Sequence, residues 1–396
     1  MWIAFLLATS LVAVSPNVAV EPLTGSSSLG AIVSLDQDTV VVEGSKGRET
    51  FPTAKLAGVS IQGVKIDPPS PTAIWVETID GSLFAATQYT ASKGKADIAS
   101  AHGAISLATD NIRSVRLQPM QETLATPWAK LFEHSPTGDF LVLRKGDSLD
   151  ATAGIVRGVQ EDSVQFEIDG ETLSVKRGKL YGLGYHRVAD RTLPATVCFV
   201  ADRSGSLYAA SAIAFHKGNL EWTTPAGLKI SRPLDSIRRI DFSRGKIARL
   251  SDLAPESSEW IPYLGGSKPI ESRAQWFGPV KDRSPAGGPI MIDGVKYEKG
   301  LSLHSKTTLV YRLPAGFTRF QAIVGIDDRA RPLGNVRCVI RADDRTLFEA
   351  AIAGTQPPKT LDLDISGARR LTILVDFGDE SDVGDQLNLG DARLVK

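Results

Sequence analysis

The segments Asp282-Arg283-Ser284, Tyr297-Glu298-Lys299-Gly300-Leu301-Ser302-Leu303-His304-Ser305 and Phe320-Gln321-Ala322-Ile323-Val324-Gly325-Ile326-Asp327-Asp328 carry most of the fold information in this chain. Short apolar runs are punctuated by a Gly-Leu-x-x-His-Ser turn and an Asp-Asp pair, as strands bounded by turn residues are. Downstream, Leu309, Tyr311 and Leu313 alternate on one face, as do Val336, Cys338 and Ile340. Leu361, Leu363 and Ile365 repeat the pattern, and Leu371, Ile373, Val375 and Phe377 give its cleanest instance. A period of two places such side chains on one buried face of a sheet. About six to eight short strands with Pro, Gly and Asp turns predict a two-sheet sandwich over residues 255–396.

The order and spacing of these motifs resemble the NPCBM family, carbohydrate-binding modules first noted beside certain glycoside hydrolases. The resemblance implies a galactose-binding-like jelly roll and points to binding, not catalysis. It also raises the expectation of a structural Ca2+. The chain departs from the family near its end. There the family reads Asp-His-x-Asp-Trp-x-Asp-Ala, and this sequence has Asp385-Gln386-Leu387-Asn388-Leu389-Gly390-Asp391-Ala392. Gln386, Asn388 and Leu389 replace a His, an Asp and a Trp. That leaves open a module that keeps the fold without binding sugar.

The preceding residues carry an internal duplication. Asp80-Gly81-Ser82-Leu83-Phe84-Ala85-Ala86 returns as Ser204-Gly205-Ser206-Leu207-Tyr208-Ala209-Ala210, an offset of about 124 residues. Lys93-Gly94 maps onto Lys217-Gly218 and Gly103 onto Gly227 at the same offset. Lys55-Leu56-Ala57-Gly58 maps onto Lys179-Leu180-Tyr181-Gly182, and Ile112-Arg113-Ser114-Val115 matches Ile237-Arg238-Arg239-Ile240 with one residue inserted. Each copy holds two short β units, and no stretch sustains a helical apolar period over three turns. The expectation is an all-β protein: two small duplicated β-barrel or meander modules, residues 25–120 and 124–245, before the C-terminal jelly-roll sandwich. Pro255, Pro262 and Gly265-Gly266 mark residues 251–266 as an ordered connector.

Lys+Arg and Asp+Glu both total 45, so the formal net charge is zero, with no basic block for nucleic acid or an anionic membrane. An apolar run from Trp2 to Val14, broken by Thr9 and Ser10, reads as an export signal over residues 1–20 with cleavage near Ala19 or Val20. It is too short to span a bilayer, although no Lys or Arg precedes it and an uncleaved anchor is the alternative. A secreted, periplasmic or cell-envelope location follows. Cys198 and Cys338, each inside an apolar strand pattern, are expected as buried core thiols.

Six residues are candidates for ligand contact. His304 ends the Gly300–Ser305 turn, where imidazole could bond sugar hydroxyls or could hold the turn through a backbone group. Asp327 and Asp328 follow a strand. Carboxylates there suit sugar hydroxyls or calcium, and equally suit a turn cap. Trp276 and Tyr297 are the available platforms for a pyranose face, with Trp260 in the connector. Arg283 completes the set. The acidic loop Asp376–Asp391 lacks EF-hand spacing. His102, His134, His186 and His216 show no metal-ligand spacing. No nucleophile elbow, zinc motif, P-loop or dinucleotide fingerprint occurs, so the expected function is glycan binding without catalysis. A structural or protein-interaction role in the cell envelope is the alternative.

Overall fold

The structure, a computed structural model, describes residues 16–68, 74–100, 103–133, 138–186, 192–263, 277–378 and 382–396. The expected leader lies mostly outside them. The described part of that range is not loose chain: Asn17–Pro22 is a strand with Val18 and Val20 fully buried, paired on both sides. Ala19 and Val20, the expected cleavage point, are therefore inside a sheet. The chain divides into two compact units, residues 1–243 and 244–396.

The first unit is built from one plan used four times, over residues 17–61, 74–116, 139–184 and 198–241. Each repeat carries a 3-10 turn before its last strand, at Thr53–Lys55, Thr109–Asn111, Arg177–Lys179 and Leu234–Ser236. A closing strand follows each turn and pairs antiparallel with the repeat's first strand, with a register shift in all four cases. The first residue of the closing strand, Leu56, Ile112, Leu180 or Ile237, is wholly buried, and so is the fourth, Val59, Val115, Leu183 or Ile240. These positions are the physical content of the repeat: two apolar anchors three residues apart, placed after a tight turn.

The all-β class with small meanders is what the chain forms, and the barrel alternative is not realised. In the first repeat, strands Gly47–Pro52, Thr39–Gly44, Ser28–Leu35, Asn17–Pro22 and Leu56–Ile61 form an open ladder whose two ends do not pair. The free edge of Leu56–Ile61 pairs instead with Ile237–Asp241 of the fourth repeat. Ile112–Arg116 pairs likewise with Leu180–Gly184 of the third. Edges that would otherwise be exposed are thus covered by a neighbour.

The duplicated Gly-Ser-Leu motif lies where the two copies meet. Leu83 pairs with Leu207. The Ala85 N–H donates to Ser206 Oγ (3.1 Å), and the Ala209 N–H donates to Ser82 Oγ (2.9 Å). This reciprocity, with matched cross-copy pairs Ser114–Gly184 and Arg239–Ser60, makes the first unit a pseudo-twofold assembly of two intertwined copies. Among the described residues of the first unit a helix, Glu122–Lys130, also occurs; its Leu124 and Trp128 pack with Phe140, Val142 and Tyr181 in a satellite core. It escaped the sequence pattern because it is shorter than three turns and contains Pro127.

The second unit is a two-sheet sandwich. One sheet runs Val280–Lys281, Gly300–His304, Gln386–Val395, Arg319–Ile326, Lys359–Asp364, with Ile247–Arg249 also on Gln386–Val395. The other runs Ser257–Trp260, Thr307–Arg312, Arg370–Phe377, Asn335–Ala342, Arg345–Ala353. Most successive strands cross between the sheets, as in a jelly roll, and the hairpin Asn335–Ala342 with Arg345–Ala353 stays within one. The alternating residues read from the sequence form its centre: Leu371, Ile373, Val375, Val336, Cys338 and Ile340 are all wholly buried. The described part of the expected connector is incorporated into this unit through Ser257–Trp260, which pairs with Thr307–Val310. Neither cysteine forms a disulfide, both are buried, and burial pushes the Cys338 thiol up to about 12.

Candidate functional site

Strand Gly300–His304 is buried along its whole length and pairs with the last strand, Leu301 opposite Leu389 and His304 opposite Gln386. His304, 6% exposed, directs Nδ1–H to the Ser305 carbonyl at 2.6 Å. The same carbonyl accepts the Trp260 Nε1–H at 3.0 Å. Ser305 Oγ–H in turn donates to Asp385 Oδ2 (2.7 Å), while the Asn335 N–H reaches Asp385 Oδ1 at 3.2 Å. Burial raises the Asp385 carboxyl above its ordinary range, and these two bonds only partly oppose the shift.

Against this frame rests an aromatic group. Phe277 stacks on Trp260 with centroids 5.5 Å apart and meets the His304 imidazole edge-on at 5.0 Å. Trp260 is buried, but Phe277 keeps 39% of its surface exposed. Tyr263, 48% exposed, contacts Phe377 edge-on at 5.0 Å. The frame is polar and fixed, and the rings on it are apolar and open. Such a surface can take the hydrophobic face of a sugar ring.

A second polar knot lies deeper. Asn388, fully buried, accepts Ser302 Oγ–H (2.6 Å) and donates to Asp327 Oδ2 (2.8 Å) and the Met291 carbonyl (3.1 Å). Asp327, 1% exposed, also caps its own turn by accepting the Arg329 N–H at 3.0 Å. Asp328 accepts the Asp293 and Gly294 N–H groups (2.7 and 2.8 Å) and so holds the Ile290–Tyr297 hairpin at its tight turn.

These contacts sort the six predicted residues. Asp327 is buried with both carboxylate oxygens engaged, and His304 is buried with Nδ1 engaged. Asp328 holds the hairpin. Tyr297 is half-buried, with one ring face against Gly390, where a Cβ would come within 2.7 Å of the ring. Arg283 is exposed, and its carbonyl accepts Ser302 Oγ–H. Trp276 lies outside the described residues. The structure brings His304 to the exposed rings and Asp327 to Asn388. Phe277 was missed because a single Phe beside Trp276 has no pattern to distinguish it.

Among the described residues, Asp327 and Asp328 are not set out as calcium ligands. Both oxygens of Asp327 and of Asp328 accept N–H donors, and no group of three or more His, Cys, Asp or Glu suited to a metal occurs among the described residues. The departure from the family pattern also acquires a location. Asn388 and Leu389 face the interior, so their change alters packing, and only half-buried Gln386, opposite His304, borders the rim.

Residues 261–395 match the NPCBM/NEW2 domain family, so the second unit carries an NPCBM domain. A Renibacterium salmoninarum protein named "Putative endo-alpha-N-acetylgalactosaminidase" is 26% identical over 121 residues, 28% of this chain. The match spans only 8% of that relative's length. Among solved structures, the CBM51 module of Clostridium perfringens GH95 in complex with methyl-galactose is 24% identical, with 38% of this chain and 99% of that one covered and a TM-score of 0.33. The tandem CBM51 modules of a family 98 glycoside hydrolase from Streptococcus pneumoniae are 14% identical, with 81% and 88% covered and a TM-score of 0.32. Among the described residues no helix is long and apolar enough to cross a membrane.

Proposed function

We propose that this chain is an exported glycan-binding protein without catalytic activity, and that its sandwich takes a sugar on the Phe277–Tyr263 rim. The observation that carries the reading is Phe277 itself: an exposed ring fixed between Trp260 and His304 within an NPCBM domain. His304, Ser305 and Asp385 act by positioning, since their bonds hold the strand end on which the rings rest. Tyr297 and Arg283 are the two nominated residues whose exposure suits a wider contact. A leader, on this reading, ends before Asn17, because strand Asn17–Pro22 belongs to the first unit.

The test is titration of the full chain with galactose-type sugars, read by NMR at the Phe277 and His304 rings. Binding in the millimolar range is expected, with Phe277→Ala weakening the His304 response at least tenfold and His304→Ala weakening the Phe277 response less. Rings unmoved at millimolar sugar in a folded chain would overturn the reading. The envelope-interaction alternative draws on Gln386 at the rim in place of the family His. Gln386→His would strengthen sugar binding if the rim is a sugar site, and would change nothing if it is not.

A further inference from the structure

The first unit contains a cavity of about 290 Å3 between its second and fourth repeats, lined by residues of both sequence copies. Its floor is the stacked pair Phe84 and Tyr208, whose ring centroids are 5.6 Å apart and which are almost wholly buried. Leu107 and Leu228 line its sides, half-buried, and Lys229 and Ser106 are exposed lining residues at its mouth. Thr224, in the lining, accepts the Leu228 N–H at 3.2 Å through Oγ, and its hydroxyl can donate as well as accept. Asn111, also in the lining, reaches the Ala226 carbonyl at 3.4 Å and so ties one repeat's turn to the other's loop.

Charge decides what such a space can hold. Behind the lining, Asp80 accepts Thr78 Oγ–H (2.6 Å), Ser82 Oγ–H (2.7 Å), the Ser82 N–H (3.0 Å) and, on its other oxygen, the Ala226 N–H (3.0 Å). Burial works to raise the Asp80 carboxyl, but these four bonds outweigh it and hold it below the ordinary range, so it is a fixed negative charge. An anion entering the cavity would approach that charge, and a cation would first meet Lys229. A neutral ligand avoids both. A volume near the lower end for binding pockets limits it to about one ring. Apolar sides with a hydroxyl, an amide and an ammonium around them suit a ring with carbon faces and hydroxyl edges.

We propose that this cavity binds one neutral hexopyranose residue, giving the chain a carbohydrate site separate from the sandwich. The site is formed only where the copies meet, so neither copy alone would bind. It stands apart from the reading of the NPCBM domain and is tested separately from it.

The experiment is a methyl-detected NMR titration of the full chain carrying Phe277→Ala, with galactose as the probe and galacturonate and galactosamine as charged controls. Shifts of the Leu107 and Leu228 methyls are expected, saturating with a Kd on the order of 1–10 mM. Ser106→Trp, which fills the mouth, should weaken that response at least tenfold, and Asn111→Ala at least threefold. Unchanged Val18 and Val20 methyl signals would certify the fold of each variant. Three results would overturn the proposal: silent Leu107 and Leu228 methyls at saturating galactose, an equal response in both variants, or tighter binding of galacturonate than of galactose.

Discussion

The two units bury polar groups by opposite strategies. In the first, the serine contacts of the duplicated motif occur twice: Ser82 receives the Ala209 N–H, and Ser206 receives the Ala85 N–H. In the second, one residue does the joining, because Asn388 alone links Ser302, Asp327 and the Met291 carbonyl. Repetition spreads a structural demand over equivalent sites, and a single knot concentrates it. The units should therefore fail differently under the same kind of substitution.

The largest effect is expected at the knot. Asn388→Leu fits the space but leaves one oxygen of the buried Asp327 carboxylate without its donor, while the Ser302 hydroxyl keeps the Arg283 carbonyl and the Met291 carbonyl keeps the Asp328 N–H. Such a loss costs about 3 kcal/mol, more than a neutral hydrogen bond because a charge is involved. Hydrogen exchange read at strand Gln386–Val395 should lose about a hundredfold protection, with the first unit unaffected. A loss under about tenfold would mean that water replaces Asn388 and that the knot is not what holds the sandwich end.

The contrast also explains what could be read in advance. Alternation alone located Arg370–Phe377 and Asn335–Ala342, because a buried sandwich face imposes a period of two on every strand. The duplication was legible through glycines. Lys93-Gly94 and Lys217-Gly218 both take positive φ at their tight turns, a demand few residue pairs meet. That each copy holds two β units was legible, but the plan the four units share was not. It depends on two apolar anchors after a 3-10 turn, and Leu56, Ile112, Leu180 and Ile237 share hydrophobicity with little surrounding sequence. Site residues were harder for a related reason. His304 and Asp327 carry the same side chains whether they face a ligand or a neighbour's backbone, and only burial and partners separate the two. Phe277 depends on contacts with Trp260 and His304 that lie distant in sequence.

A middle-sized effect tests the repetition. Ser82→Ala and Ser206→Ala each leave a buried backbone N–H without its acceptor, at a cost of about 1–2 kcal/mol. Ser82→Ala should cost slightly more, because its hydroxyl also donates to the Asp80 carboxylate at 2.7 Å, whereas the Ser206 hydroxyl meets that of Ser204. Chemical denaturation of the two single variants should give losses within about 1 kcal/mol of each other. A loss confined to one variant would break the pseudo-twofold equivalence of the copies.

The smallest effect sets the units against each other by sign. Asp80 has its carboxyl held below the ordinary value of about 3.9, so its contribution to folding is present above that pH and lost as pH falls through the lowered value. Asp385 is raised by burial, so the folded state favours its protonated form. The stability tied to that protonation is present below about 3.9 and lost as pH climbs through the raised value. Acidification from neutral pH should therefore first relieve the sandwich and only later weaken the first unit. Hydrogen exchange in each unit between about pH 3 and pH 7, corrected for intrinsic exchange rates, would separate the two trends. Asp385→Asn should flatten the sandwich's rise towards acid while keeping contacts to Ser305 and Asn335, with the amide donating to one and accepting from the other. Asp80→Asn should instead blunt the acid loss in the first unit. If Asp385→Asn left the sandwich's pH trend unchanged, the buried carboxyl would be ionised throughout, and the polar frame behind Phe277 would carry a permanent negative charge.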